Sequence, residues 1–243
     1  MKYGSITTGI IADGLIFNID AANRASVVPS TSTNKAFNTM DTAIVGTFAA
    51  DAQYDSSTIS PSLAFDGTGD YIDYGNQFSS GLTQLTLSSW VYFKDADINE
   101  YDYFISKDGT TNRCFNLAKF RNGLWNTDGS ISFWLSGNGS AMTFCGARTS
   151  DGFTPSNNTW YNVTGTYDGS NMKLYINNIL YRTLSHTAGI HDSNNSLYMG
   201  YSQGAHASGM LNGNLGPTQI YNRALSANEV LHNYNALKGR FGL

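Results

Sequence analysis

Residues 159–178, TWYNVTGTYDGSNMKLYINN, contain the clearest β-structure signal in the chain. Large and small side chains alternate through Thr159–Tyr167, and a second apolar segment, Met172–Ile176, follows after the sequence DGSN. Two such segments joined by turn-forming residues are typical of a β-hairpin. Asn177-Asn178 then leads into Ile179–Leu184, and paired asparagines favour the tight turn that joins antiparallel strands. These residues therefore predict three consecutive antiparallel strands.

Outside this segment, short apolar stretches recur along the chain with Gly, Asn, Asp and Ser between them. The stretch LTLSSWVYF at Leu85–Phe93 is long enough to cross a sheet. No helical pattern separates consecutive strands, which argues against a parallel α/β sheet. We therefore expect an all-β fold, a two-sheet antiparallel sandwich. The other predicted strands are Gly14–Asp20, Ala43–Phe48, Ser62–Phe65, Tyr71–Tyr74, Tyr103–Ser106, Arg113–Phe120, Ile131–Ser136, Met142–Ala147, Leu197–Gly200 and Leu215–Tyr221.

A single short helix is predicted near the C-terminus. Ser226-Ala227-Asn228-Glu229 is a capping box, in which the serine accepts from the backbone and the glutamate reaches back. Apolar residues recur at helical spacing from Val230 to Leu237, and Gly239 is expected to end the helix. Because no linker or fixed repeat interrupts the chain, we predict one domain over residues 10–243 and a separate N-terminal arm at residues 1–9.

Composition excludes several classes of protein. Of 243 residues, 41% are hydrophobic and 13% are aromatic, which argues against disorder. The net charge of −4 leaves no basic excess for nucleic acid. No apolar stretch approaches the length of a membrane span, and the N-terminus lacks the apolar region of a signal peptide. Cys114 and Cys145 are expected to be buried thiols, with a disulfide as the alternative.

Six segments, taken in order, carry a family resemblance: LAFDGTGDYIDYG, LTLSSWVYF, YFISKDG, NTWYNVTGTYDGSNMKLYINNILYRT, LYMGYS and LNGNLGPTQIYNRALSANEV. Their succession resembles the laminin-G-like, concanavalin-A-like jelly-roll domains, and the match extends over roughly Gly14 to Leu237. The resemblance implies two curved antiparallel sheets packed face to face as a jelly-roll sandwich. It also implies calcium and carbohydrate as ligands.

The two ends of the chain carry a narrower resemblance. The opening GLIFNIDAANRAS and the closing IYNRALSANEVLHNYNALKGRFGL are similar to the versions of this domain found in tailed-phage structural proteins. The resemblance implies a protein assembled in the host cytoplasm and carried on the virion surface, with other virion proteins as partners.

Catalytic signatures are missing from the sequence. Glucanases of this fold carry two or three acidic residues that alternate along one strand, so that two carboxylates lie a few ångströms apart. No Glu-x-Asp-x-Glu pattern occurs here, and the two glutamates, Glu100 and Glu229, are predicted in a loop and a helix cap. There is no G-x-S-x-G, HExxH or Walker sequence either. We predict no enzyme and no nucleotide or redox cofactor, with polysaccharide cleavage as an alternative.

Calcium needs several oxygen atoms that converge. In the turn Asp66-Gly67-Thr68-Gly69-Asp70, Asp66 and Asp70 are the candidate metal ligands. The alternative is a glycine-rich turn whose aspartates bond to their own backbone. The segment Asp95–Asp102 begins like an EF-hand loop but lacks its glycine and its final glutamate, so we interpret it as an acidic loop. His186 and His191 are interpreted as solvated loop residues rather than as a metal pair.

Carbohydrate binding needs aromatic faces and polar side chains together. Trp125 lies between predicted strands in the polar segment RNGLWNTD, and it is the main candidate ligand residue, with Arg121 and Asp128 beside it. Tyr201 and His206, in the loop before the last strand, are further candidates. Trp90 and Trp160 lie within long strands and are predicted to pack in the fold. The face on which Trp134 lies is left open.

These observations predict a non-enzymatic phage virion surface protein, a capsid decoration or tail-fibre module that binds host-surface or environmental glycans. The alternative is a purely structural decoration module that contacts other virion proteins through residues 1–9 or Lys238–Leu243. Neither hypothesis includes nucleic acid or membrane insertion, and a homo-oligomer is left open.

Overall fold

The computed structural model describes residues 9–28, 35–78, 80–96, 101–120, 131–147, 152–204 and 209–243. These residues form two antiparallel sheets. In chain order, the strands are β1 Leu15–Ile19, β2 Val27–Val28, β3 Lys35–Phe37, β4 Val45–Ala49, β5 Gln53–Asp55, β6 Ser62–Asp66, β7 Tyr71–Asp73, β8 Leu85–Phe93, β9 Asp102–Lys107, β10 Phe115–Lys119, β11 Ile131–Leu135, β12 Thr143–Ala147, β13 Thr159–Tyr167, β14 Asn171–Ile176, β15 Ile179–Ser185, β16 Tyr198–Met199 and β17 Asn212–Tyr221.

The strands divide between a sheet that we call sheet A and a second that we call sheet B. Sheet A has the order β15-β14-β13-β8-β17-β6-β5, with β1 also paired to β17. Sheet B has the order β12-β11-β10-β9-β16-β7-β4-β3-β2. The predicted two-sheet antiparallel jelly-roll sandwich is confirmed. Every predicted strand is present to within a few residues, and β2, β3 and β5 were not predicted.

The main core lies between the two sheets. Alternate residues of the strands point into it, among them Leu87 and Val91 of β8 and Phe115 of β10, all fully buried. Gly165 of β13 lies directly beneath the ring of Phe133, and a Cβ atom there would collide with the ring. Sheet A therefore approaches sheet B closely at this point because residue 165 has no side chain.

The turn between β14 and β15 has the predicted geometry. Asn177 and Asn178 both adopt positive φ, 49° and 66°, as a two-residue type I′ turn requires. Asparagine tolerates this conformation better than most residues do. In the preceding turn, the Asp168 carboxylate accepts the N–H groups of Ser170 and Asn171 at 2.9 and 2.7 Å.

Helix α1 spans Ala227–Leu237 and begins with the predicted capping box at Ser226 and Glu229. The predicted end at Gly239 is wrong, because the chain continues as a 3-10 helix over Lys238–Phe241. Gly242, with φ 74°, provides the left-handed residue that ends it. No helix in the described part of the chain is long and apolar enough to cross a membrane.

The C-terminal segment packs on the outer face of sheet A. Phe241 stacks on Trp90 at 4.2 Å and lies 4.6 Å from Trp160, and all three are buried. The prediction that Trp90 and Trp160 serve packing is confirmed. Lys238–Leu243, one of the two segments predicted to contact other virion proteins, is itself packed against the sandwich, since the Arg240 guanidinium also makes two bonds to Asp20, at 2.7 and 2.8 Å.

Both cysteines, Cys114 and Cys145, are buried free thiols, as expected. Of the predicted N-terminal arm, only Gly9 lies within the described residues, where its carbonyl accepts a hydrogen bond from His232 Nε2 at 3.0 Å.

Candidate functional site

Three tyrosine rings form a cluster on the outer face of sheet B, which we call the tyrosine platform: Tyr71, Tyr198 and Tyr201. Tyr71 and Tyr201 stack with ring centroids 5.1 Å apart. Tyr198 meets both rings edge-on, at 5.6 and 5.3 Å. Tyr198 is buried, whereas Tyr71 and Tyr201 are half-buried and therefore remain partly accessible to solvent. The tyrosine platform is thus a partly exposed pair of rings, Tyr71 and Tyr201, that packs against the buried ring of Tyr198.

Strand alternation explains why these rings lie on the same face. Ile72 and Met199 point into the core and are fully buried, so their neighbours Tyr71 and Tyr198 point outward. Gly200 then turns the chain with φ +83°, at a position where a Cβ atom would lie 2.7 Å from the Phe65 ring. This turn brings Tyr201 beside Tyr71.

Polar groups lie next to the tyrosine platform. Asp73 points outward from β7 and pairs in register with Tyr198 on one side and Thr47 on the other. One oxygen of the Asp73 carboxylate accepts the Gly75 N–H at 2.7 Å. Thr47 is exposed and Asp73 is half-buried. Ring faces, a hydroxyl and a carboxylate are thus available together on one surface.

A row of buried polar groups continues from the platform across sheet B. Tyr198 pairs with Ser106, Ser106 with Asn116, and Asn116 with Trp134, so all four side chains share one face. Ser106 Oγ, Asn116 Oδ1 and Trp134 Nε1 make no hydrogen bond within the described residues. The face of Trp134 is therefore the outer one, although the side chain is only 1% exposed.

A second cluster lies at the edge where the chain crosses between sheets. Carboxylate oxygens of Asp51, Asp66 and Asp70, which we call the acidic triad, all lie within 4.8 Å of one another. Asp51 belongs to the turn between β4 and β5, and the other two flank the turn between β6 and β7. Asp70 directly precedes Tyr71, so the acidic triad adjoins the tyrosine platform.

Hydrogen bonds fix the buried member of the triad. Asp70 is 2% exposed, and its two carboxylate oxygens accept the N–H groups of Asp51 at 3.1 Å and Asp66 at 2.9 Å. Burial, together with the neighbouring carboxylates of Asp66 and Asp51, raises the pKa of Asp70 above its usual value. A bound cation would reduce the repulsion between the three carboxylates. Carboxylate oxygens that lie this close together can coordinate one hard divalent ion.

The structure brings some of the predicted site residues together. Asp66 and Asp70 lie close to each other, as expected, and the alternative turn bonds are also present, since Asp66 accepts the Thr68 N–H at 2.7 Å. Tyr201 lies in the tyrosine platform. The other predicted ligand residues, Trp125, Arg121, Asp128 and His206, lie outside the described residues.

Sequence reasoning missed Asp51, Tyr71, Asp73 and Tyr198. Local patterns predicted Tyr71 and Tyr198 in strands, but only the pairing of β7 with β16 places them side by side.

The interpretation of His186 as a solvated residue is wrong. His186 is 5% exposed and its ring nitrogens contact Thr143 Oγ1 at 2.9 Å and the Gly189 carbonyl at 2.7 Å.

Several comparisons place the fold. The binding domain of Paraclostridial Mosquitocidal Protein 1 matches with a TM-score of 0.68 and 15% identity, over 92% of this chain and 52% of that one. The binding domain of botulinum neurotoxin serotype D/C gives 0.65 and 14%, with the same coverage. This chain thus spans about half the length of these two proteins.

Domain 4 of AbnA, a GH43 extracellular arabinanase from Geobacillus stearothermophilus, in complex with arabinotriose, gives a TM-score of 0.63 and 16% identity. The match covers 89% of this chain and 96% of that domain. A search of the curated proteins found no match. The family profile described as the concanavalin A-like lectin/glucanases superfamily matches residues 66–231, about two thirds of the chain. The chain belongs to that superfamily.

Proposed function

We propose that this chain is a non-enzymatic glycan-binding domain whose binding surface is the tyrosine platform. The observation that carries this proposal is the stacked pair of half-buried rings, Tyr71 and Tyr201, next to the Asp73 carboxylate and the Thr47 hydroxyl. The C–H faces of a sugar ring pack on aromatic rings, and its hydroxyls donate to carboxylates. The arabinotriose-bound arabinanase domain supports the same ligand class for this fold.

Neither Glu229 nor Asp70 is suited to act as the general acid of a glycosidase. Glu229 is held by Arg223 at 2.6 Å, and this bond lowers the pKa of Glu229 to about 2, so it carries no proton to donate near neutrality. Asp70 has the raised pKa that a general acid needs, but both of its oxygens already accept backbone N–H groups and it is almost fully buried. Release of reducing sugar from a polysaccharide would contradict a non-enzymatic role.

We also propose Ca²⁺ as the ion of the acidic triad. Calcium takes six to eight oxygen ligands, which include carboxylates and backbone carbonyls. Asp51 and Asp66 are exposed, so their carboxylates can reach a bound ion. Because Asp70 adjoins Tyr71 in sequence, an ion here would fix the edge of the tyrosine platform.

The proposed setting is the surface of a tailed-phage virion, in a capsid decoration or tail fibre. The resemblance of both chain ends to phage structural proteins supports this location. Mass spectrometry of purified particles is expected to detect the chain at a stoichiometric level, and its absence from particles of the phage that encodes it would contradict the location.

The decisive experiment is a glycan-array screen of multivalently displayed protein, because display strengthens weak single-site binding. We expect Tyr201→Ala and Tyr71→Ala to abolish the signal. Tyr92→Ala is the matched control, since Tyr92 is a half-buried tyrosine on the outer face of sheet A, packed 5.4 Å from Trp160. The array is repeated with a chelator, which tests the ion separately.

A blank array would contradict glycan binding and favour the structural module. One observation supports that second function: Ile179 and Leu180, on the edge strand β15, are 59% and 49% exposed. Exposed apolar pairs on sheet edges favour contact with another protein. Ile179→Lys would then be expected to lower incorporation into particles.

A further inference from the structure

A cavity of about 480 Å³ lies on the outer face of sheet A, beneath the end of α1 and the 3-10 helix. Its volume falls within the range of small-molecule sites. It is on the opposite side of the sandwich from the tyrosine platform, because the platform lies on the outer face of sheet B. No residue of the platform or of the acidic triad lines it.

Two amide side chains form the floor of the cavity. Asn18 of β1 and Gln219 of β17 are register partners, and Gln219 Nε2 donates to Asn18 Oδ1 at 3.2 Å. Gln219 as a whole residue is only 2% exposed, and within the described residues no hydrogen bond to its Oε1 is present, although this oxygen is not among the fully buried atoms that lack a partner. The oxygen therefore keeps access to the cavity, where water or a ligand hydroxyl can bond to it. The floor thus offers Gln219 Oε1 as an acceptor and the second N–H of Gln219 Nε2 as a donor, whereas Asn18 Nδ2 already donates to Thr39 Oγ1 at 2.8 Å.

The charges that line the cavity cancel. Arg240 binds Asp20 through two parallel bonds of 2.7 and 2.8 Å, and it also donates to Ser60 Oγ. A guanidinium held in this way offers little to an anion, and the paired carboxylate offers little to a cation. The other walls include Ile10, Pro217 and Ala236, and the described lining contains no aromatic ring.

We propose that this cavity binds a small uncharged polyhydroxylated molecule of monosaccharide size. A hydroxyl group both donates and accepts, which matches the amide group of Gln219, held in place by its bond to Asn18. The neutral lining selects against ionised sugars, and the aliphatic walls suit a compact ring rather than an extended chain. The domain would then hold two ligand sites on opposite faces.

The test is protein-detected NMR titration with D-glucose, D-galactose, L-arabinose and glycerol, and with D-glucuronate as the charged probe. We expect saturable shifts of the Gln219 side-chain amide with at least one neutral probe, and at least about tenfold weaker binding of D-glucuronate. Gln219→Met keeps the side-chain length and removes the hydrogen-bonding groups. We expect it to weaken binding about tenfold, which corresponds to the loss of roughly one well-made hydrogen bond.

Two further variants fill the cavity without changing its floor. Ala236→Leu narrows it from the helix, and Ala22→Phe blocks it from an exposed position on the rim. Both are expected to abolish the saturable shifts, whereas Ala227→Leu, the same change at an exposed position on the same helix, leaves them intact. No saturable shift with any neutral probe, or unchanged binding in both filled variants, would overturn the proposal. Tyr201→Ala separates this site from the platform, because it should leave these shifts unchanged.

Discussion

The ion pair between Lys119 and Asp102 is a residue-scale feature with a large expected effect on stability. The side chains are 0% and 3% exposed and lie 2.8 Å apart, and Asp102 also accepts the Asn212 N–H from the facing sheet at 3.2 Å. Removing one partner of a buried ion pair costs about 3–5 kcal/mol because the other charge stays buried. We therefore expect Lys119→Met to lower the free energy of unfolding by about that amount, measured by urea denaturation at neutral pH.

Acid should partly rescue this variant. Burial raises the pKa of Asp102 even beside Lys119, so the folded state holds its proton more tightly than the unfolded state does. Stability of the variant then rises as the pH falls through the folded-state pKa, where Asp102 becomes neutral. Lys35→Met, at an exposed position, is the control and should change stability by less than about 0.5 kcal/mol. If Lys119→Met and Lys35→Met lowered the free energy of unfolding by the same amount, the buried ion pair would contribute nothing to stability.

At the same scale, the sequence predicted Asp66, Asp70 and Tyr201 as site residues but not the residues that they meet from other parts of the chain. Asp66 and Asp70 share one turn, so their proximity followed from spacing. Asp51 comes from a different turn, and Tyr198 meets Tyr71 only because β16 pairs beside β7. Contacts between residues far apart in sequence depend on strand pairing, and no local pattern determines that pairing.

The N-terminus of α1 is the element whose stability depends most clearly on pH. Glu229 accepts from the Ser226 N–H at 2.8 Å and from Arg223 at 2.6 Å, and the Arg223 bond is the main reason its pKa falls from 4.5 to about 2. A carboxylate whose pKa is lower in the folded state than in the unfolded state stabilises the fold at any pH above the unfolded-state pKa. That contribution is lost as the pH falls from 4.5 towards 2. Glu229→Gln should therefore lower the free energy of unfolding by about 0.5–2 kcal/mol at neutral pH and flatten its pH dependence in that window.

Asp13→Asn is the matched control for the cap. Asp13 contacts the same arginine at 2.9 Å, but its side chain is 85% exposed, and exposed ion pairs contribute little. Chemical denaturation across the acidic range compares the two variants. A wild-type curve that stays parallel to that of Glu229→Gln would contradict the proposed role of the cap.

Elements were predictable to the extent that they were long. The hairpin at residues 159–184 and the strand Leu85–Phe93 carry enough alternation to be recognised. By contrast, β2, β3 and β5 have only two or three residues each, which is too short for a periodic pattern. The helical pattern predicted α1 as far as Leu237, but the 3-10 helix Lys238–Phe241 was missed, because Gly239 was expected to end the helix and the chain continues past it to place Phe241 on Trp90.

At the scale of the whole molecule, the acidic triad connects the two sheets. The turn that carries Asp51 leads from sheet B to sheet A, and the turn between Asp66 and Asp70 leads back from sheet A to sheet B. Asp70 already joins these turns through its two backbone hydrogen bonds. An ion bound by all three carboxylates would therefore hold the sheets together at this edge.

Ca²⁺ is consequently expected to raise the melting temperature of the whole domain, since a ligand that binds only the folded state stabilises it by mass action. Calorimetry with added calcium and with a chelator measures the difference. Asp51→Asn should remove the calcium-dependent part of this shift, and it keeps the backbone N–H bond from residue 51 to Asp70. The control is Asp41→Asn, which should leave the shift unchanged. Asp41 is exposed, and the amide oxygen of asparagine can still accept its turn bond from the Ala43 N–H. The shift should also shrink in acid, because the raised pKa of Asp70 makes protons compete with the ion. A melting temperature that is the same in calcium and in chelator would contradict an ion at the triad, and glycan binding that persisted in chelator would show that the tyrosine platform works without one.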